Sequence, residues 1–427
     1  MKPQQGLLIA AVLAAIGFAT TASTQTSVPG AAAPAPVATA AAPMTPGQYA
    51  AVLGDCEACH SRPGGQPFSG GVPLESPFGT IYSANITPDK DHGIGNWTRE
   101  QFRRAMKHGK DDEGRNLYPA FSYPYYSHVH EADVDSIYDY LRTVPAAAYT
   151  PPANKMGFPF NIRFLVTFWN WLYLKPVEFQ DDPKQTAEWN RGAYIVNGLG
   201  HCGACHTPKS LLSGDEYSKA LQGGKLENFL ASDLTGDKHD GLGGWEKQDI
   251  VDFLKTGING KSSAYGSMID VVRFSTSKMN DADLNAIATY LKSLPAGPAP
   301  QPAVKPDAAV MAAGKAVYDK NCATCHQMDG AGIPSTYPAL AANANMGAAF
   351  SGGLAHVVLT GSKTATLKPL TDDPMPGFAA KLNDAQIANV LTYARNSWGN
   401  SAPAVDAKDV AKLRKIVVEP AKVATAP

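Results

Sequence analysis

Cysteine and histidine recur in one fixed arrangement: Cys56-Glu-Ala-Cys59-His60, Cys202-Gly-Ala-Cys205-His206 and Cys322-Ala-Thr-Cys325-His326. The three copies use all six cysteines of the chain. Two thiols three residues apart with a histidine directly after them is the spacing that attaches haem c. The thiols add to the two vinyl groups of the porphyrin, and the adjacent imidazole reaches the iron. One isolated pair could also serve a thioredoxin-like redox couple or a zinc site. Six cysteines in an exported chain could form three disulfides. A histidine after every pair and no cysteine left over select haem attachment, so three haems c are expected. His60, His206 and His326 are then the first axial ligands.

A sixth ligand is sought in the loop between the middle and closing helices of each copy, where a methionine thioether favours ferrous iron. In the third copy Asp373-Pro374-Met375-Pro376-Gly377 offers Met375 between two prolines. In the second, Tyr265-Gly266-Ser267-Met268 offers Met268. Met279 competes with it, but directly precedes an Asn-Asp helix start, where methionine usually packs in the core. The first copy reads Tyr118-Pro-Ala-Phe121 and continues to His130 without a methionine. Met106 aligns with core positions Leu254 and Val358, Met156 follows the closing helix, and His128 and His130 remain open. The sixth ligand of the first haem is left unassigned.

Nothing else in the chain suggests catalysis. His92 and His239 fall one position apart in a repeated loop, so a shared metal role is not expected. His201 precedes Cys202 and is expected against the haem edge. His108 and His356 have no partner in sequence. No Ser-His-Asp order and no phosphate-binding glycine loop is present. With 37 basic and 38 acidic residues and no long charge run, nothing invites nucleic acid.

The elements that must hold these groups repeat as well. Segment 85–97, from Asn85 to Trp97, aligns without gaps on 233–245, from Asp233 to Trp245. The following helices match too, from Phe102 to Gly109 and from Val251 to Gly257, with Leu354 to Gly361 as a third copy. Each unit closes with an amphipathic helix, over 133–142, 283–292 and 384–395. Proline stops the first two. Each unit opens with a helix carrying a glycine and then an aromatic: Gly47 and Tyr49, Gly192 and Tyr194, Gly314 and Tyr318. Closing-helix aromatics stand at Tyr140, Tyr290 and Tyr393. A glycine on one helix lets the opposing aromatic approach, so a tight crossing is expected.

Outside the repeats, Lys2 and the apolar run from Leu7 to Ala19 read as an export signal over 1–22. Residues 23–43, rich in Ala and Pro, read as a tether. The connector over 149–188 holds an aromatic run from Phe158 to Leu174, too short to span a bilayer. It is expected to pack between haem domains or against a partner, with the membrane interface as the other reading. The tail from 401 to 427 contains one amphipathic segment, Val405 to Val418, expected on the surface. Charged residues make up only 18% of the chain. That fits small loop-rich domains folded around something other than a large side-chain core.

This organisation resembles the cytochrome c domain repeated three times. The expected fold is all-α, with few strands: three tandem cytochrome c domains over 44–148, 189–297 and 307–400, with a linker at 298–306. The chain further resembles the triple-haem cytochrome c subunits of membrane-bound periplasmic dehydrogenases. The likeness rests on Pro67-Phe-Ser-Gly-Gly71, Tyr82-Ser-Ala-Asn-Ile-Thr-Pro-Asp89, Gly200-His-Cys-Gly-Ala-Cys-His-Thr-Pro208 and Ala394-Arg-Asn-Ser-Trp-Gly-Asn400, and covers about residues 45–400. It implies an electron-transfer subunit, not an enzyme by itself, on the periplasmic face of the bacterial inner membrane with peripheral membrane association. Its implied partners are a quinoprotein, flavoprotein or molybdenum catalytic subunit on one side and ubiquinone or a terminal oxidase on the other. The family often reads Tyr-Pro-Ala-Met where this chain has Tyr118-Pro-Ala-Phe121. A stand-alone shuttle, or a haem peroxidase using the methionine-free first haem, are the rival readings.

Overall fold

A computed structural model of the chain describes residues 43–226, 229–297, 304–334, 336–347, 351–362 and 374–418. The expected export signal and most of the tether and linker lie outside these residues. Residues 44–427 cluster as one unit.

The first repeat opens with α1 (Pro46–Leu53), capped by Thr45 with proline in the first turn, and the attachment helix α2 (Cys56–His60) follows. A hairpin, β1 (Pro73–Ser76) and β2 (Gly79–Tyr82), leads into the glycine-rich loop. The middle helix α3 (Arg99–His108) starts in a Thr98/Gln101 capping box. The short α4 (Tyr123–Tyr126) and the closing α5 (Glu131–Leu141) complete the repeat. In the connector, β3 (Lys155–Met156) adds to β2, and α6 (Val166–Tyr173) lies beyond it.

The second repeat follows the same order. It has α7 (Ala187–Asn197), α8 (Gly203–His206), the hairpin β4 (Gln222–Leu226) and β5 (Phe229–Asp233), α9 (Lys247–Thr256), α10 (Met268–Phe274) and α11 (Asp281–Ser293). The third has α12 (Ala308–Asn321), α13 (Ala323–His326), α14 (Ala344–Gly347), α15 (Gly352–Thr360) and α16 (Asp384–Ala394). The tail contributes α17 (Ala407–Val417). The chain is therefore largely helical, but two small antiparallel sheets qualify the all-α expectation.

Opening and closing helices cross at the expected glycines. A Cβ added to Gly47 would sit 2.0 Å from the Ser136 carbonyl oxygen and 3.0 Å from Tyr140 Cβ. At Gly192 it would meet the Ala286 oxygen at 2.0 Å and Tyr290 Cβ at 2.9 Å. At Gly314 it would meet the Asn389 oxygen at 2.2 Å and Tyr393 Cβ at 2.7 Å. No side chain fits such a backbone approach, so each crossing requires glycine.

The aromatic after the glycine does different work in the third repeat. Tyr49 Oη donates to Asp283 Oδ2 at 2.8 Å, and the Asn280 amide donates to Tyr49 Oη at 3.1 Å. Reciprocally, Tyr194 Oη donates to Asp133, and the His130 amide donates to Tyr194 Oη at 3.2 Å. Tyr49 and Tyr194 each stand two residues after their glycine, and Asp133 and Asp283 are each third in a closing helix. The first two repeats thus exchange equivalent contacts about an approximate two-fold relation. They share one apolar core that includes Leu53, Val134, Ile195 and Leu284. Tyr318 comes four residues after Gly314, and its hydroxyl donates within its own repeat to the Gln327 carbonyl at 2.7 Å. The third repeat has a separate core around Leu359, Ile387 and Leu391. The tail helix belongs to that core, because Val410 and Leu413 are buried in it. A purely surface placement of 405–418 is corrected accordingly.

Candidate haem-attachment sites

In all three copies the histidine after the second cysteine is fixed through one ring nitrogen. His60 Nδ1 lies 2.6 Å from the Ala84 carbonyl oxygen, His206 Nδ1 2.7 Å from that of Ser232, and His326 Nδ1 3.0 Å from that of Pro338. A carbonyl only accepts, so Nδ1 carries the proton and Nε2 keeps its lone pair for a metal. Burial holds all three imidazoles below their ordinary range, which keeps them neutral.

The strands explain where two of these carbonyls come from. Ala84 follows β2 and Ser232 lies in β5, so each hairpin carries an acceptor to its histidine. Both residues immediately precede the aligned loops 85–97 and 233–245, and that alignment was the signal that could have paired them. Pro338 supplies the third carbonyl from a loop.

None of the six cysteines is in a disulfide. Burial pushes the thiols of Cys56, Cys59 and Cys202 up to about 12 and that of Cys322 up to about 11. Such thiols lack the electropositive, exposed setting that activates a redox pair. No cluster of three or more metal-ligating side chains exists among the described residues, which argues against zinc. Paired thiols on one turn beside an imidazole with a free Nε2 fit haem c.

Met375 bridges to Ser362, whose amide donates to the Met375 carbonyl at 3.0 Å, and it packs against the third core. Asp373 lies outside the described residues. Met268 is the first residue of α10 rather than a loop residue, half-buried beside Ala264 and Val272. Met279 is 2% exposed in the shared core, directly before the Asn280 cap of α11. Val129 is fully buried at the matching place before His130 in the first repeat. An aliphatic residue at the equivalent position supports the packing role of Met279.

In the first repeat the two histidines are engaged by the connector. His128 Nδ1 lies 2.6 Å from the Val177 carbonyl, and His130 pairs with Glu178 and stacks on Tyr194 at 4.7 Å. Met106 is buried on α3, and Met156 lies in β3 opposite Gly79. Phe121 packs on Tyr126 at 5.4 Å. Tyr126 joins two attachment segments: its hydroxyl donates to the Gly54 carbonyl at 2.9 Å, two residues before Cys56. Its ring stacks on His201, which immediately precedes Cys202, at 5.4 Å. His201 does not stand out in sequence as a contact between repeats, because its partner Tyr126 is 75 positions away on the short helix α4.

Residues 311–398 match the cytochrome c family. The gluconate 2-dehydrogenase cytochrome c subunit of Pantoea cypripedii is 41% identical over 394 residues, covering 86% of this chain and 89% of the relative. The cytochrome c subunit of the quinone alcohol dehydrogenase of Gluconobacter oxydans is 39% identical, covering 86% and 81%. The chain belongs to the family of dehydrogenase cytochrome c subunits. A dihaem c-type cytochrome of Cereibacter sphaeroides is 38% identical over 251 residues, 57% of this chain and 83% of its own.

As a cytochrome c subunit the chain binds haem c covalently, and haem supplies one-electron chemistry when bound. The protein's part is to fix each imidazole, exclude water and set the distances between sites. The second Cys-x-x-Cys-His segment is tied to the third repeat as well as to the first. Ser232, whose carbonyl holds His206, donates through Oγ to Asn345 Oδ1 at 2.6 Å. Asn345 in turn donates to Ser262 Oγ at 2.9 Å. Phe229 stacks on His356 at 4.2 Å across the same junction.

Proposed function

We propose that this chain is the electron-transfer subunit of a periplasmic alcohol, sugar or aldehyde dehydrogenase. It carries three haems c, in cytochrome c domains over 44–148, 189–297 and 307–400. Cys56, Cys59, Cys202, Cys205, Cys322 and Cys325 attach them. His60, His206 and His326 are the first axial ligands, with Met268 and Met375 as the sixth ligands of the second and third haems. Electrons enter from a catalytic subunit and leave to ubiquinone or a terminal oxidase. The chain works at the periplasmic face of the inner membrane, as a peripheral protein.

The observation that carries this reading is the threefold arrangement of paired thiols with a histidine held through Nδ1 by a backbone carbonyl. The relatives, named as dehydrogenase cytochrome subunits over most of their length, support the partnership. The test is reconstitution. The purified chain alone is expected to oxidise no alcohol, sugar or aldehyde, and to restore quinone reduction when its catalytic subunit is added. Substrate oxidation by the single chain would refute the proposal.

A further inference from the structure

Helix α6 leaves large apolar side chains exposed and buries only Val166. Two polar side chains tie it to the first repeat: Thr167 Oγ1 accepts from Asn116 Nδ2 at 2.9 Å, and Asn170 Oδ1 accepts from the Tyr123 hydroxyl. Its outward stripe, continuing from the preceding turn, is Phe164, Phe168, Trp171 and Leu172, at positions i, i+4, i+7 and i+8. Trp171 is 83% exposed and Phe168 56%. Phe158, in the same connector, is 83% exposed, and Leu211 of a second-repeat loop is 98% exposed. That loop is tied to the helix, because Trp169 Nε1 donates to the Leu212 carbonyl at 2.9 Å and Tyr173 Oη meets Ser210 Oγ at 2.8 Å.

We infer that this ridge inserts into the headgroup region of an anionic lipid bilayer and seats the subunit on the membrane. The inference deepens the peripheral membrane association proposed above and rests on it. A large outward apolar patch marks an interaction surface, and three features make the occupant lipid. Trp and Phe with Leu are the side chains that interfacial helices present to the acyl boundary. Single side chains, Phe158, Trp171 and Leu211, stand almost fully free, which suits insertion between lipids. The charge is one-sided: from Tyr140 to Val177 there is no acidic residue, while Lys155, Arg163 and Lys175 are present. Their cationic heads lie over the rings of Tyr82, Tyr118 and Tyr217, and cations in a segment without acidic residues favour an anionic lipid surface. Among the described residues no helix is long and apolar enough to cross a membrane, so this contact lies in the interface plane.

The test is flotation of the haem-loaded full chain with vesicles. One set contains equal parts of phosphatidylglycerol and phosphatidylcholine, the other phosphatidylcholine alone. The wild type is expected to float with both, and more strongly with the anionic set. Phe168→Ser/Trp171→Ser/Leu211→Ser is expected to lower vesicle partitioning by about tenfold or more, with an unchanged visible spectrum. Leu211→Ser alone, at a side chain that supports nothing else in the fold, is expected to give a smaller drop in the same direction. Lys155→Gln/Lys175→Gln is expected to weaken binding to the anionic vesicles only. Wild-type flotation by the triple variant, or absence of flotation by the wild type, overturns the inference. So does a triple variant that floats normally but no longer joins its catalytic subunit in detergent, because the ridge is then a protein contact. Quinone reduction by the detergent-solubilised triple variant reads the electron-transfer role separately.

Discussion

The Tyr126 ring stacks on the His201 imidazole at 5.4 Å and 26°, joining the first Cys-x-x-Cys-His segment to the second. Tyr126 also holds the Gly54 carbonyl, so one side chain packs two Cys-x-x-Cys-His turns against each other. Together with the crossed Tyr49–Asp283 and Tyr194–Asp133 contacts, this makes the first two repeats a pair and the third an addition.

A pair so built titrates as a pair. Tyr126→Leu removes the stack and the hydroxyl while keeping apolar bulk. Redox titration is expected to show two of the haem potentials moved and the third unchanged. A shift confined to one haem would speak against a shared environment.

The acid stability of the pair depends on Asp283. Burial alone would push its carboxyl up, but hydrogen bonds from Arg191 and Tyr49 outweigh it and hold it below the usual carboxylate range. A depressed carboxylate contributes stability above its unfolded value near pH 4, and that contribution fades as pH falls through the folded value. Asp283→Asn should cost about 1–3 kcal/mol at neutral pH. It should also flatten the loss of stability below about pH 4. Thermal unfolding across pH measures both.

The glycine crossings separate the two cores. Gly314→Ala forces a methyl onto the Asn389 carbonyl, at a cost of about 1–3 kcal/mol. It should lower the unfolding temperature or haem content of the third repeat alone. Gly192→Ala should affect the first two together. Calorimetry of the two variants distinguishes them, and identical traces would contradict the separation of cores.

The ligand assignments predict a distinct pattern of loss. Met268→Ala and Met375→Ala should each remove one methionine-to-iron charge-transfer band in the near infrared and lower one potential, with haem still attached. Met279→Leu should leave the bands in place. The first haem should differ from both in magnetic circular dichroism, because Phe121 offers no lone pair. Three equivalent His/Met spectra would return Met106 or Met156 as its ligand.

Much of this was legible in the sequence, because covalent chemistry and helix crossings impose fixed spacings. The attachment motifs, the three glycines and the closing helices stand where periodicity puts them. Even the division into a pair and an addition is written there, as Gly-x-Tyr in the first two repeats and Gly-x-x-x-Tyr in the third. The hairpins were less legible: four- and five-residue strands around Gly79 and Gly223 carry little alternation, and their role is to bring the carbonyls of Ala84 and Ser232 to histidines over 20 residues away. The placement of α6 was hidden for another reason. Its polar residues answer Tyr123 and Asn116 of the first repeat, a tertiary match that no local pattern reports.

The central claim is that each of the three Cys-x-x-Cys-His segments carries one haem. Pyridine haemochrome titration of the exported chain, read together with its intact mass, counts them directly. The account predicts three covalently bound haems per polypeptide and no free thiol. One or two haems, or cysteines joined in disulfides, would contradict it.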